Sequence, residues 1–332
     1  FSDSFFLSPL VSSITMEDSV QMLSSKVSTP LARALSTSSS SLAPIKNVTI
    51  IGAGLMGAGI AQVSANAKLN VVLVDMNDKV LEKSRASIDA SLARVAKKKF
   101  PDSAEAQKSF VADTMKHLKV STNTSEAVSQ ADLVIEAIVE NIDVKRKLFA
   151  EVEKAAKSSA ILTTNTSSLR LSDIGLNLKN KSQFGGLHFF NPVPVMKLLE
   201  VVRHDETSEE TYKSLMEYGK SIGKATVTCK DTPGFIVNRL LIPYMYEALR
   251  MADRGDASCK DIDTAMKLGA GYPMGPFELC DYVGLDTTLF IGQGWAKNFP
   301  NEPLFKPSPT LEKLVKEGKL GKKTGEGFYK YK

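Results

Sequence analysis

A doubly wound α/β sheet with an inserted helical hairpin, followed by an all-helical segment, is the fold class this sequence predicts. Three observations support it. β-Branched runs alternate with amphipathic stretches as far as about residue 231, the first run opens into a glycine-rich turn, and no run of strand character returns after Phe235.

Val48 to Ile51 is a short apolar run that enters Gly52-Ala53-Gly54-Leu55-Met56-Gly57. An apolar-periodic segment follows, and a second β-branched run ends in Asp75. Strand, turn, helix, strand and acid in that order make a β-α-β unit of the dinucleotide-binding type. Gly52 allows the tight turn, Gly54 lets a pyrophosphate approach the backbone, and Gly57 lets the helix lie close on the strand. The helix N-terminus offers unpaired N–H groups to the phosphates. Asp75 is placed to accept hydrogen bonds from an adenosine ribose and to repel a 2′-phosphate, which favours NAD over NADP.

Asp78 to Lys99 alternates apolar and charged residues at helical spacing, Pro101 stops it, and Ser103 to Leu118 is helical again. The two arms form a hairpin where a plain doubly wound chain would pass straight to its next strand, and such insertions are usually functional or exposed. The first arm carries Ser91, Arg94 and Lys97-Lys98-Lys99, a run that suits either a solvated face or a phosphorylated ligand. Leu133 to Ala137 is a buried strand followed by Glu140, and Asn141 to Lys157 a helix with Lys145 and Lys147 in its first turns. Ligands bind at strand carboxyl ends in open α/β sheets, which puts Glu140 and Lys145 by the crevice.

Ala160 to Thr164 is the next strand, and the polar turn Asn165-Thr166-Ser167-Ser168 suits either a helix cap or a substrate contact. Phe184 to Phe190 and Leu198 to Val202 are strands joined through the rigid turn Asn191-Pro192-Val193-Pro194. Thr207 to Ile222 is an amphipathic helix and Thr226 to Cys229 a short strand. Asp231-Thr232-Pro233-Gly234 breaks the pattern, and Phe235 to Ala252, Cys259 to Leu268, Phe277 to Val283 and Leu285 to Ala296 are helices. A cofactor domain is therefore expected over 46–231 and a helical domain over 232–332.

The chain has three histidines, and His188 lies in one apolar run while Glu200 lies in another, twelve residues on. A carboxylate inside Leu-Leu-Glu-Val-Val is costly to bury without a partner. If the two strands pair back across Asn191 to Lys197, with Pro194 central, His188 and Glu200 fall opposite one another. An imidazole oriented by a buried carboxylate is a general base, and removing a hydride from an alcohol requires something to take the hydroxyl proton. His204, between Arg203 and Asp205, and His117, at the end of the hairpin, read as surface residues.

The net charge of +5 permits acidic small-molecule substrates, but no basic stripe with interleaved aromatics makes a case for nucleic acid. No stretch reaches the roughly 18 apolar residues of a membrane-spanning helix. Cys229, Cys259 and Cys280 are far apart and lack C-x-x-C spacing, so neither a disulfide framework nor a metal site is expected. Residues 1–45 are rich in Ser and Thr and hold no glycine. From Met22 to Lys46 there is no acid, Lys26, Arg33 and Lys46 are basic, and Leu23, Val27, Leu31 and Leu35 recur every four residues. That pattern resembles a mitochondrial presequence, which implies the matrix, and the alternative is a disordered tail.

Four stretches beyond the glycine turn resemble one family: HFFNPVPVMKLLEVV from His188, DTPGFIVNRLLIPYMYEAL from Asp231, GYPMGPFEL from Gly271 and GKKTGEGFYKYK at the end. The family is that of the L-3-hydroxyacyl-CoA dehydrogenases, and the likeness, running from about Lys46 to Lys332, is to its short-chain mitochondrial members of fatty acid β-oxidation. The resemblance implies that His188 takes the proton of the 3-hydroxyl and Glu200 holds its imidazole, while Ser167 and Asn238 contact the substrate oxygen. It implies that Asp75, Glu140, Lys145, Ser167, Asn191 and Lys323 join the Gly52–Gly57 turn in holding NAD, and that Ser91 and Lys98 contact coenzyme A. It further implies a homodimer joined through the helical domain, with a cleft that closes between domains. The rival readings are a catalytically silent NAD-binding structural protein and a dehydrogenase of a non-CoA hydroxy acid; the intact site residues oppose the first and the lysine-bearing hairpin the second.

Overall fold

The computed structural model describes residues 44–306 and 308–331. All but the last two residues of the expected presequence lie outside the described residues. Among the described residues eight strands form one sheet: β1 (Asn47–Ile51), β2 (Asn70–Val74), β3 (Leu118–Ser121), β4 (Leu133–Glu136), β5 (Ile161–Thr164), β6 (Phe184–Phe189), β7 (Leu198–Arg203) and β8 (Ala225–Lys230). Their order is β3-β2-β1-β4-β5-β6-β7-β8. β1 to β6 are parallel, β7 turns back against β6, and β8 lies parallel to β7. The carboxyl ends of six strands thus share one edge, and the winding reverses between β1 and β4, which is where such sheets open a ligand crevice.

Seven helices cover the sheet: α1 (Leu55–Asn66), α2 (Asp78–Lys99), α3 (Ala104–Met115), α4 (Thr124–Ser129), α5 (Ile142–Ala155), α6 (Leu171–Ile174) and α7 (Glu209–Ser221). Alternation along the strands divides them between two cores, because successive side chains point to opposite faces. Ile50, Ile135 and Val201 pack with Ile60, Leu81, Ile88 and Leu215 on the face of α1, α2 and α7. Ile51, Val134 and Val202 pack with Val128, Phe149 and Ile174 on the face of α4, α5 and α6. A third core belongs to the helices after Gly234: α8 (Val237–Asp253), α9 (Cys259–Gly269), α10 (Pro276–Val283), α11 (Leu285–Asn298) and α12 (Pro309–Lys316). It gathers Met245, Tyr246, Phe277, Leu285, Trp295, Phe305 and Leu311.

The hairpin of α2 and α3 lies between β2 and β3, its arms joined by the tilted Phe100–Phe110 ring pair. The expected helix to Leu118 is too long: α3 stops at Met115, and Leu118 opens the edge strand β3 beside β2. That strand escapes a reading by hydrophobic runs because Lys119 and Val120 are exposed on the sheet's edge. The helix α12 is likewise absent from the sequence reading. His204 corrects another expectation. It is buried, with its ring 5.8 Å from that of Phe184, and burial holds its pKa below the usual histidine value against the opposing pull of Asp231 and Glu206.

Candidate active site

The first strand delivers the glycine turn to the switch point. Gly52 has φ +105°, and its N–H donates to Val74 O at 2.8 Å, tying the turn to the end of β2. A Cβ at Gly57 would stand 1.8 Å from Gly52 O, so only glycine lets α1 approach the turn this closely. A Cβ at Gly54 would meet no protein atom within 4 Å, which leaves the side of the turn at Gly54 open for a ligand to reach the backbone. Asp75 follows β2, and its carboxylate accepts from Ala53 N at 3.0 Å and Asn77 N at 3.2 Å. The acid expected to take the ribose is therefore held against the turn expected to take the pyrophosphate. These features fit NAD.

Next along the edge, β4 ends in Glu136 and leads to Glu140. Asn141 caps α5 by accepting from Asp143 N and Val144 N, and the first turn of that helix points Lys145 inward. Lys145 is 1% exposed; its ammonium lies 2.6 Å from Glu136 Oε1 and 3.2 Å from Glu140 Oε2. Glu140 Oε1 accepts from Thr166 Oγ1 at 2.5 Å, Ser167 N at 3.0 Å, Ser168 N at 3.1 Å and Ser168 Oγ at 3.0 Å. Partial burial raises the Glu140 pKa, but Lys145 and the hydrogen bonds from Thr166 and Ser167 outweigh it and hold the carboxyl below its ordinary value. Glu140, Lys145 and the exposed Ser167 are thus brought together at the ends of β4 and β5.

β6 and β7 pair in the register that the sequence suggests, with His188 opposite Glu200. His188 is 4% exposed and Glu200 0%; Nδ1 and Oε2 are 2.6 Å apart. With the carboxylate as acceptor, Nδ1 carries the proton and Nε2 is the free base. Phe190 and Phe235 flank the imidazole at 4.5 and 5.4 Å between ring centres. The other Glu200 oxygen accepts from Ile236 N at 3.1 Å and Val237 N at 2.9 Å, the capping residue and the first residue of α8. A helix N-terminus favours negative charge, so the apolar strand can carry this acid. Phe235 bends the chain into that contact at φ +52°, a left-handed conformation that costs a non-glycine residue about 1 kcal/mol.

Other expected residues distribute unevenly. Asn191 is exposed just past β6, and Asn238, in the first turn of α8, reaches Ser167 O at 3.5 Å, the outer limit of a hydrogen bond. Ser91 and Lys98 lie on one stripe of α2 with Ser84, whose hydroxyl donates to Ala53 O in the glycine turn. A separate cleft of about 400 Å³ between α2 and α3, lined by Asp89, Ala93, Ala96 and Lys97, opens on another face of the helix. Among the described residues no hydrogen bond or ion pair joins Lys323 to the glycine turn; its ammonium pairs with Asp286 at 2.5 Å, at the start of α11. Sequence reasoning gave Glu136 no role, although an acid closing an otherwise apolar strand was the available signal.

Proton removal beside a dinucleotide cradle is the chemistry of alcohol oxidation, so fold and site define an NAD-dependent dehydrogenase. Residues 47–232 match the family model of the 3-hydroxyacyl-CoA dehydrogenase NAD binding domain, and residues 234–331 that of the C-terminal domain. The chain belongs to the 3-hydroxyacyl-CoA dehydrogenase family. It is 68% identical to a probable 3-hydroxyacyl-CoA dehydrogenase of Caenorhabditis elegans, over 94% of this chain and 100% of that protein. Identity to the mitochondrial hydroxyacyl-coenzyme A dehydrogenase of Homo sapiens is 57%, over 87% of this chain and 92% of that protein. The crystal structure of an (S)-3-hydroxybutyryl-CoA dehydrogenase from Ralstonia eutropha superposes with a TM-score of 0.82 at 39% identity, covering 87% of this chain and 99% of that one.

Proposed function

We propose that this enzyme oxidises (S)-3-hydroxyacyl-CoA to 3-ketoacyl-CoA in fatty acid β-oxidation, with His188 as general base and Glu200 as the residue that orients it. The observation that carries the reading is the buried 2.6 Å contact between His188 and Glu200 on the strands beside the cofactor edge. When bound, NAD would supply the acceptor for the hydride from C3. His188 Nε2 takes the 3-hydroxyl proton, and Glu200 stabilises the imidazolium that forms. Two N–H groups at the amino end of α8, those of Ile236 and Val237, fix the far oxygen of Glu200, so the imidazole is oriented before substrate arrives. Phe190 and Phe235 pack against the ring, which is 4% exposed. Ser167 and Asn238 would hold the substrate oxygen, and Ser91 and Lys98 the CoA moiety, whose binding energy helps to orient the reacting carbon. The Gly52–Gly57 backbone, Asp75, Glu140, Lys145, Ser167, Asn191 and Lys323 would hold the cofactor.

The spans of the two family models support a cofactor domain over 46–231 and a helical domain over 232–332. Exposed Leu240, Leu268, Tyr282 and Phe290 on the helical part support its use as a homodimer face. Relatives named mitochondrial in rat, pig and human support a mitochondrial location, and the matrix is the compartment we propose. The reaction is tested by following NADH absorbance with acetoacetyl-CoA. Turnover that free coenzyme A inhibits competitively is expected; absence of turnover, or indifference to coenzyme A, contradicts the reading.

A further inference from the structure

We propose that Glu136 is a positioning residue for the reaction, acting through Lys145 and Glu140 on the loop that carries Ser167. The inference rests on the reading of Ser167 as a substrate and cofactor contact. Glu136 is fully buried at the end of β4, and each of its oxygens is engaged. Oε1 accepts from Lys145 Nζ at 2.6 Å and Ile138 N at 2.7 Å, and Oε2 accepts from Thr164 Oγ1 at 2.6 Å. Thr164 Oγ1 in turn accepts from Thr166 N at 3.1 Å. One carboxylate therefore ties the ends of β4 and β5 to the first turn of α5.

Its larger effect is on Lys145. A buried ammonium needs compensating charge, and here it is shared between Glu136 and Glu140. Glu140 spends only one oxygen on the ammonium and leaves the other for the Thr166, Ser167 and Ser168 donors. With Glu136 neutral, Glu140 becomes the sole counter-charge of Lys145 and is drawn toward it, away from those donors. Ser167 then loses the contact that fixes its backbone, and Asn238, which reaches Ser167 O, loses its neighbour. Lys145, so deeply buried, works chiefly as an internal strut, and Glu136 sets where that strut stands.

The adenosine half of the cofactor site lies on β1 and β2, at the glycine turn and Asp75, and shares none of these bonds. That separation supplies the test. In Glu136→Gln, kcat with acetoacetyl-CoA at saturating NADH should fall about tenfold, while the Kd of ADP-ribose stays within about twofold of wild type. A merely structural residue would move the melting temperature, or both constants together. Should Glu136→Gln fail to fold, Glu136→Asp keeps the charge but shortens its reach to Lys145 and Thr164; it should fold and keep ADP-ribose affinity with kcat below wild type. Wild-type kcat in either folded variant, or equal loss of turnover and ADP-ribose affinity, overturns the inference. Ser167→Ala, measured alongside, separates the two levels. A crippled Ser167→Ala with a normal Glu136→Gln overturns this inference alone, and a normal Ser167→Ala overturns the reading of Ser167 beneath it and the inference with it.

Discussion

Both halves of the described chain bury carboxylates, and they use them differently. In the helical half, Asp263 accepts from Phe277 N at 2.8 Å, Glu278 N at 3.1 Å and Tyr329 OH at 2.7 Å, and Asp281 accepts from Phe328 N, Tyr329 N and Tyr331 OH. Every donor there keeps its proton: burial and Asp263 push the Tyr329 hydroxyl far above the ordinary tyrosine value. These acids pin the start of α10 and the carboxyl-terminal segment. In the sheet half, Glu200 makes the same kind of bonds to Ile236 N and Val237 N, but its third partner is an imidazole able to gain a second proton. One motif, a buried acid satisfied by backbone N–H groups, thus serves stability in one place and, in the proposed mechanism, proton transfer in the other. What distinguishes the two is the partner and its position at the strand carboxyl ends.

Substitution should separate these uses. The largest effect is expected for Glu200→Gln. Its amide keeps the shape but donates to Nδ1, forcing the imidazole proton onto Nε2 and disabling the base. Steady-state assays should show kcat lower by about 1000-fold, the scale of acid–base catalysis, with NADH affinity little changed. In Asp263→Asn the same chemical change should cost about 3 kcal/mol of unfolding free energy in a urea titration, through three compromised bonds to a buried charge. Its kcat, measured well below the melting temperature, should stay within about twofold of wild type. If Asp263→Asn loses turnover as heavily as Glu200→Gln, the contrast between the halves fails.

Asp75→Ala belongs to neither extreme. Loss of one charged hydrogen-bonding partner should weaken NAD about tenfold and narrow its preference over NADP, as read by fluorescence titration of the reduced cofactors. Unchanged affinities would remove Asp75 from cofactor selection. The smallest effect concerns pH. The Glu140 carboxyl titrates lower in the folded chain than in the unfolded one, so its stabilisation is present above the unfolded value of 4.5 and is lost as pH falls through the folded value. Urea unfolding of Glu140→Gln should therefore show lower stability at neutral pH and a shallower acid decline than wild type. Parallel curves would contradict the assignment.

Much of the sheet half was legible because its signals are local. A glycine turn between two β-branched runs fixes a β-α-β unit, and the Asn191–Lys197 connection sets the register that brings His188 to Glu200. What stayed hidden depends on neighbours remote in sequence. His204 looks solvated among Arg203 and Asp205, but it lies just past β7 with its ring against Phe184 on the neighbouring strand β6. Edge strand β3 lacks an apolar run because only Leu118 among its four residues is buried. Glu136 acquires its meaning from Lys145 on α5 and Thr164 on β5 together, and neither spacing alone announces it. The partners of Asp263 and Asp281 near the carboxyl end are as distant, and no periodicity points to them.

In the proposed reaction one imidazole, braced by a buried acid, moves the substrate proton. The most direct test is kcat for His188→Asn with acetoacetyl-CoA and saturating NADH, measured beside the NADH dissociation constant. A loss of about three orders of magnitude in kcat is expected at nearly unchanged NADH affinity. Turnover within a few-fold of wild type would remove His188 from the reaction.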